Sequence, residues 1–282
     1  QHTLMVMNAD GSDARALTVD REFRISNPRW QSSGRGLYIQ YDERARRKVA
    51  SVSLSGKLKE ITDQLGGTTI GRPYLSGDYH SNKNLIAFTW GSATRPSDIG
   101  VVKGGTAIRL TDLNGDLLDH RQLGKVHEVN YESSFDGEPI QGWYVTPPNF
   151  DPDQSWPLIL EIHGGPHSAY GAFFSAEVQL MAAAGYVVFY DNHRGSTSYG
   201  KRFALLLQYK YASQEDFADH MSGIDALINK GFIDDQNLFV TGGSAGGIGT
   251  AYAIGLTDRF KAAVAAKPVI DRKSTRLNSS HQ

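Results

Sequence analysis

One serine in this chain has the neighbours that a nucleophilic hydroxyl requires. Ser244 lies within Gly242-Gly243-Ser244-Ala245-Gly246, after the apolar run Leu238 to Val240 and before a stretch of small residues. Glycines two positions before and after a serine allow a sharp strand-to-helix turn, because a side chain at either place would collide with neighbouring backbone. We interpret this stretch as a nucleophile elbow. A glycine turn needed only for packing is the alternative interpretation.

A serine that attacks a carbonyl carbon also needs two hydrogen-bond donors for the oxyanion that forms. In an elbow fold one donor is the backbone amide of the residue after the nucleophile, here Ala245. The other comes from a glycine-rich loop after an earlier strand, and His163-Gly164-Gly165-Pro166 directly follows the apolar run Leu158 to Ile162. The amide of Gly165, with Gly164 as the second choice, is therefore the predicted second donor.

The sequence predicts no cofactor and no metal site. His163 and His167 are close in sequence, but Gly164-Gly165-Pro166 between them excludes a shared helix face, and the chain has no cysteine to supply a thiolate ligand. We interpret His193 and His220 as ordinary histidines. The glycine-rich elbow lacks the lysine of a phosphate-binding loop, so we expect no nucleotide cofactor.

Strands and helices alternate in the second half of the chain, where these residues lie. We predict strands at 157–162, 186–190, 237–241 and 262–266, and helices at 175–184, 199–209, 215–230 and after Ser244. Strands separated by helices at this spacing predict a largely parallel sheet that is covered on both faces, which is an α/β fold.

The first half of the chain has only strand signals. Short alternating segments are separated by glycine-containing turns, and an apolar residue followed by threonine recurs at Leu17, Ile61 and Leu110. A spacing of about 45 residues is typical of four-stranded propeller blades. We predict a partial β-propeller of two to three blades over residues 1–125, joined to a partial α/β domain over residues 126–270.

Three motifs in the second half resemble those of the prolyl oligopeptidase family of serine peptidases, in particular its acylaminoacyl-peptidase and dipeptidyl-peptidase branch. In the family's order, they are His163 to Ser168, Asp191 to Gly200 and Gly242 to Gly247. The resemblance implies an α/β-hydrolase domain preceded by the last blades of a β-propeller that restricts entry to short peptides. It makes Ser244 the acylated nucleophile, and the amides of Ala245 and Gly165 the oxyanion hole.

The resemblance also bears on residues around this site. Relatives that use a tyrosine hydroxyl in the oxyanion hole have it where this chain has His163, so we interpret His163 as a residue that orders its loop. Arg194 corresponds to an arginine that we expect to hold a loop near the site. Asp216 and Asp219, on the helix that follows, are expected to cap and pair rather than react.

An elbow enzyme needs a carboxylate and then a histidine after the serine. The candidates here are Asp258, Asp271 and His281. Asp258 lies in a turn sequence, and the family's acid and base come from later strand ends. Residues 271–282 become abruptly polar and resemble the translation of a sequencing-library adapter, so we interpret them as a non-native tail. We therefore expect a C-terminally truncated fragment that lacks the triad Asp and His and is inactive by itself.

Composition argues against several classes of partner. A net charge of −1 over 282 residues provides no basic field for nucleic acid, and no apolar run is long enough to span a bilayer. We expect a soluble protein of the cytoplasm or periplasm that acts on short peptides, and the oligomeric state is not indicated. Two alternatives stay open: an esterase or other acyl hydrolase of the same fold, and a non-catalytic propeller binding module.

Overall fold

The computed structural model describes residues 2–19, 21–83 and 85–270, which divide into two compact units. Unit 1 consists of the described residues within 1–122 together with 171–176 and 197–203. Unit 2 consists of 123–170, 177–196 and the described residues from 204 onward. The tail predicted at 271–282 lies outside the described residues.

Unit 1 is built from short antiparallel strands. A two-stranded sheet pairs β1 (Met5–Val6) with β2 (Arg15–Ala16). The first four-stranded meander consists of β3 (Arg24–Trp30), β4 (Gly36–Glu43), β5 (Arg46–Ser53) and β6 (Leu58–Leu65). The second consists of β7 (Tyr79–Asn82), β8 (Leu85–Trp90), β9 (Asp98–Lys103) and β10 (Thr106–Arg109). Two successive meanders of this kind are the arrangement of propeller blades.

Turn chemistry connects the strands of the first meander. The β4–β5 hairpin turns at Arg44 and Ala45, whose φ angles of 45° and 57° are those of a two-residue hairpin turn. In β3 the pairing register shifts between Ser26 and Arg29, where Pro28 has no N–H to donate to the sheet. A single helical turn, α1 (Gly115–Leu118), follows β10 and departs from the prediction of strands alone.

Two segments from the second half of the chain belong to unit 1. The amide of Ala45 donates to Ser198 Oγ at 2.6 Å, and the amide of Arg44 donates to the Ser198 carbonyl at 2.8 Å. In the other segment, Ser175 Oγ donates to the carbonyl of Gly71 at 2.7 Å. Hydrophobic periodicity gives no signal for such long-range backbone contacts, so both segments lie on the α/β side of the predicted boundary between residues 125 and 126.

Unit 2 contains a six-stranded mixed sheet in the order β11-β12-β14-β13-β15-β16. Its strands are β11 (Lys125–Glu132), β12 (Pro139–Thr146), β13 (Trp156–Ile162), β14 (Val187–Asn192), β15 (Ile233–Gly243) and β16 (Phe260–Ala266). The first two pair antiparallel, and the last four run parallel to one another. This arrangement confirms the predicted largely parallel sheet and places β13 beside β15.

Four further helices occur between these strands: α2 (Ala176–Ala183), α3 (Gly200–Leu205), α4 (Gln214–Ile228) and α5 (Ala245–Leu256). The apolar face of α4, including Ile224 and Leu227, packs into the core that Leu158, Leu160 and Val240 form on the sheet. The helix predicted at 199–209 is shorter in the structure and gives way to turns after Leu205. In the described ranges, no helix is both long and apolar enough to cross a membrane.

Candidate active site

The turn between β15 and α5 has the strained backbone that the sequence predicts. Ser244 has φ 58° and ψ −118°, a conformation that is costly for a residue with a side chain. Two backbone hydrogen bonds hold it: the Ser244 amide donates to Ala266 O at 3.0 Å, and the Ile248 amide donates to Ser244 O at 3.1 Å. Ser244 is exposed, so its hydroxyl is accessible at the end of the strand.

The glycines on either side of Ser244 are required by close backbone approach. A Cβ atom on Gly242 would lie 2.4 Å from Gly246 O, and one on Gly246 would lie 2.0 Å from Ile162 O. Both distances are far below a normal contact, and the neighbouring atoms belong to backbone that has no freedom to move aside. The two glycines thus let the first turn of α5 lie directly against the end of β13.

The glycine-rich loop begins beside this elbow. Ile162, the last residue of β13, pairs with Gly242 of β15. The loop that begins at His163 therefore starts beside the strand that precedes Ser244. Gly165 has φ 131°, in a region that residues with side chains rarely adopt, and it is exposed. The structure therefore brings the strands that carry the predicted nucleophile and oxyanion loop to the same edge of one sheet.

His163 fixes the direction of this loop from inside the unit. The side chain is fully buried, with Nδ1 at 2.8 Å from Gly164 O and Nε2 at 2.8 Å from Ser196 Oγ. Burial lowers the pKa of His163 to about 3, so the ring is neutral near pH 7. Because a carbonyl oxygen only accepts, Nδ1 carries the proton. The Ser196 hydroxyl that Nε2 contacts donates its own proton to the carbonyl oxygen of His193 at 2.6 Å.

Arg194 holds the loop after β14 in place. Its guanidinium is buried and donates to both carboxylate oxygens of Asp219, at 2.8 and 2.9 Å, and to Asp136 Oδ1 at 2.9 Å. Burial by itself would lower the pKa of Arg194, but the hydrogen bonds to Asp219 and Asp136 raise it. Asp216 instead accepts from the amide of Ser213 and completes the capping box of α4. These contacts confirm the expected structural roles of the three residues.

Tyr211 is a neighbour of the elbow that sequence reasoning missed. Its hydroxyl donates to the carbonyl oxygen of Ala245 at 2.5 Å and so fixes the first turn of α5. A single tyrosine in a turn-rich stretch between two helices gives no periodic signal. Only the fold shows that it reaches Ala245.

A buried group of acid and base side chains was also missed. Asp191, the penultimate residue of β14, accepts from Tyr131 Oη at 2.8 Å and lies 3.0 Å from Nδ1 of His220 on α4. Burial would raise the pKa of Asp191, but the imidazoles of His220 and His193 hold it well below its usual range. Two features of the sequence could have indicated this group. Asp191 and His193 lie two positions apart at the end of a predicted strand, and His220 lies in a predicted helix.

The second part of the chain matches a known protein family. Residues 172–282 match the model of the prolyl oligopeptidase family. The matched segment contains Ser244 and the turn around it. It is 33% identical over 244 residues to the Uncharacterized peptidase YuxL of Bacillus subtilis (strain 168), an alignment that covers 86% of this chain and 36% of the relative.

Solved structures of acylaminoacyl peptidases superpose on the chain. The Pyrococcus horikoshii acylaminoacyl peptidase matches with a TM-score of 0.77 and 26% identity, covering 89% of this chain and 38% of that one. An acylaminoacyl peptidase in complex with Z-Gly-Gly-Phe-chloromethyl ketone matches with a TM-score of 0.78 and 25% identity, covering 90% and 39%. The fold is an α/β-hydrolase domain preceded by propeller blades, and the chain spans well under half the length of these relatives.

Within the described residues, no side chain is assigned as the acid or the base of a catalytic triad. Between Ser244 and Ile270 the sequence has one carboxylate, Asp258, and no histidine. Asp258 lies between α5 and β16 in a turn where the Arg259 amide donates to Thr257 Oγ1 at 3.3 Å. The other candidates from the sequence, Asp271 and His281, lie outside the described residues.

Proposed function

We propose that the complete protein is a serine peptidase that hydrolyses short peptides through an acyl-enzyme on Ser244. The observation that carries this proposal is the positive φ of Ser244 between two glycines whose positions admit no Cβ atom. A strained, exposed serine of this kind at a strand end is the arrangement of a nucleophile elbow. The family match over residues 172–282 and a similar acylaminoacyl peptidase solved with Z-Gly-Gly-Phe-chloromethyl ketone support a peptide as the substrate.

In the proposed reaction, Ser244 Oγ attacks the carbonyl carbon of the peptide bond while a base takes its proton. The tetrahedral intermediate collapses as the C–N bond breaks and the leaving amine receives that proton. Water then hydrolyses the acyl ester and restores the serine. The base and its carboxylate partner would come from the part of the protein that corresponds to the later strands of its relatives.

The oxyanion of that intermediate would accept from the amides of Ala245 and Gly165. Each amide belongs to a peptide group whose carbonyl oxygen is already held from the opposite side. Ile248 N–H holds the carbonyl of Ser244, and His163 Nδ1–H holds the carbonyl of Gly164. Because a peptide group is planar, fixing each carbonyl also fixes the direction of the N–H that follows it. Such preorganised donors are the main source of transition-state stabilisation in acyl transfer.

The 282-residue chain by itself should hydrolyse peptides very slowly. Without a base and an orienting carboxylate, Ser244 keeps the weak nucleophilicity of an ordinary hydroxyl, and members of a triad act as a unit. The oxyanion hole alone then supplies only a small part of the rate enhancement.

A substrate comparison on the complete protein tests the peptidase proposal. We expect turnover of dipeptidyl and acylaminoacyl nitroanilides, with Ser244→Ala lowering kcat by about 10⁴-fold or more. Ser222→Ala on α4 is the matched control, because its hydroxyl donates to Ala218 O within that helix and accepts from the loop amide of Ser134. Turnover of nitrophenyl esters with no turnover of any anilide would instead identify an esterase, and tight peptide binding with no turnover would identify a binding module.

A further inference from the structure

Three metal-ligating side chains are buried together in unit 2, and the proposed hydrolysis uses none of them. Asp191 is the penultimate residue of β14, His193 is the first residue of the loop after it, and His220 lies on α4; their exposed fractions are 1%, 0% and 4%. One ligand atom from each lies within 4.8 Å of the other two. We call these three residues the Asp-His-His cluster.

The cluster contains polar atoms that the described residues leave without hydrogen bonds. These atoms are Asp191 Oδ1 and both ring nitrogens of His193. His193 Nδ1 lies 3.7 Å from Asp191 Oδ1, which is too long for a hydrogen bond. Buried polar groups in proteins nearly always have a partner, and an ion or an ordered water is the usual explanation where the protein supplies none.

The spacing of the ligand atoms suits a single metal ion. Two ligands bound at about 2.1 Å in a tetrahedral site lie about 3.4 Å apart. Asp191 Oδ2 lies 3.0 Å from His220 Nδ1, and the other oxygen of the same carboxylate, Oδ1, lies 3.7 Å from His193 Nδ1, so each imidazole faces one of the two carboxylate oxygens. Tyr131 donates to Asp191 Oδ2 at 2.8 Å, which is the kind of outer hydrogen bond that orients a carboxylate ligand.

We propose that the Asp-His-His cluster binds one divalent transition-metal ion of the zinc class. Two imidazole nitrogens and one carboxylate favour such an ion over calcium or magnesium, which take oxygen ligands. Because the cluster is buried, the ion has a structural role: it joins the end of β14 and the loop that contains Arg194 to α4. This site is independent of the proposed peptidase activity.

Metal analysis of the purified 282-residue chain tests the proposal. The chain is stripped with a chelator, dialysed against micromolar zinc, passed over a desalting column and analysed by mass spectrometry for zinc per chain. We expect one zinc ion per chain and a higher Tm for the loaded protein than for the stripped protein. A loaded chain with less than one tenth of an ion, or with no change in Tm, would overturn the proposal in favour of a hydrogen-bonded cluster or a buried water.

Variants locate the ion. Asp191→Asn and His220→Gln should each reduce the zinc content at least tenfold and abolish the Tm increase. The matched control is His127→Gln on β11, a partly exposed histidine outside the cluster, which should keep the full zinc content. Equal zinc contents in all four proteins would contradict the assignment.

A measurement on the unmodified chain decides the matter if the cluster variants fail to fold. X-ray absorption of the zinc-loaded protein should show two imidazole ligands and an oxygen ligand at about 2.0–2.2 Å. A ligand set with one imidazole or none would mean that zinc is bound elsewhere and would overturn the proposal.

Discussion

A Cβ atom on Gly246 would lie 2.0 Å from the carbonyl oxygen of Ile162. The helix after Ser244 therefore packs against the end of β13 with no side chain between them. This contact joins the two strand ends that carry the proposed nucleophile and the glycine-rich loop, because Ile162 is also the residue before His163.

Gly246→Ala should accordingly disrupt the elbow. Forcing a methyl group into this backbone contact should lower the free energy of unfolding by about 1–3 kcal/mol or more, measured by urea denaturation. Gly255→Ala is a matched control in the same helix, because nothing lies within 4 Å of a Cβ atom there. Alanine should stabilise the helix at that position by up to about 1 kcal/mol. Similar effects of the two substitutions would contradict the packing described here.

The buried pair of Arg194 and Asp219 should be sensitive to the loss of one partner. Asp219→Asn should destabilise the protein by about 3–5 kcal/mol, because it leaves the guanidinium buried with less compensating charge. Asp63→Asn is the control: Asp63 pairs with Arg46 at 3.2 Å, and more than half of the Arg46 side chain is exposed. Its loss should cost less than about 1 kcal/mol. Equal shifts in the urea midpoint would show that the Arg194 network does not hold the loop.

Tyr211→Phe should slow the complete enzyme while leaving substrate binding nearly unchanged. The substitution removes the hydroxyl that holds the Ala245 carbonyl, so the first turn of α5 is less firmly fixed. A neutral hydrogen bond of about 0.5–1.5 kcal/mol corresponds to a decrease in kcat of about two- to tenfold. Tyr209→Phe is the control, because Tyr209 is 98% exposed. A rise in KM at constant kcat would argue that Tyr211 acts on substrate binding instead.

Local sequence predicted most of the fold. Hydrophobic periodicity predicted the alternating strands of unit 1 and the positions of helices and strands in unit 2. The strand before Ser244 could be placed because glycines mark the turn that follows it. The predicted α3 was too long, because its apolar residues continue past Leu205 into turns. The pattern of apolar residues indicates which positions are buried, but it does not distinguish a helix from a packed turn.

The supporting side chains of the site could not be predicted in the same way. Tyr211 reaches Ala245, and His220 reaches Asp191, across large sequence separations that depend on how α4 and the preceding turns pack on the sheet. Each of these residues is a single polar position with no repeating pattern. Their types indicated possible chemistry, but only the three-dimensional arrangement shows their partners.

The most direct test of the central claim is to map a fluorophosphonate adduct on the complete protein by peptide mass spectrometry. The account predicts one adduct per chain, located on Ser244, and no labelling of the folded Ser244→Ala variant. It also predicts that the 282-residue chain alone labels at least about 10³-fold more slowly, as expected if the base comes from elsewhere in the complete protein. An adduct on another serine, or no adduct on the folded complete protein, would contradict the assignment of Ser244 as the nucleophile.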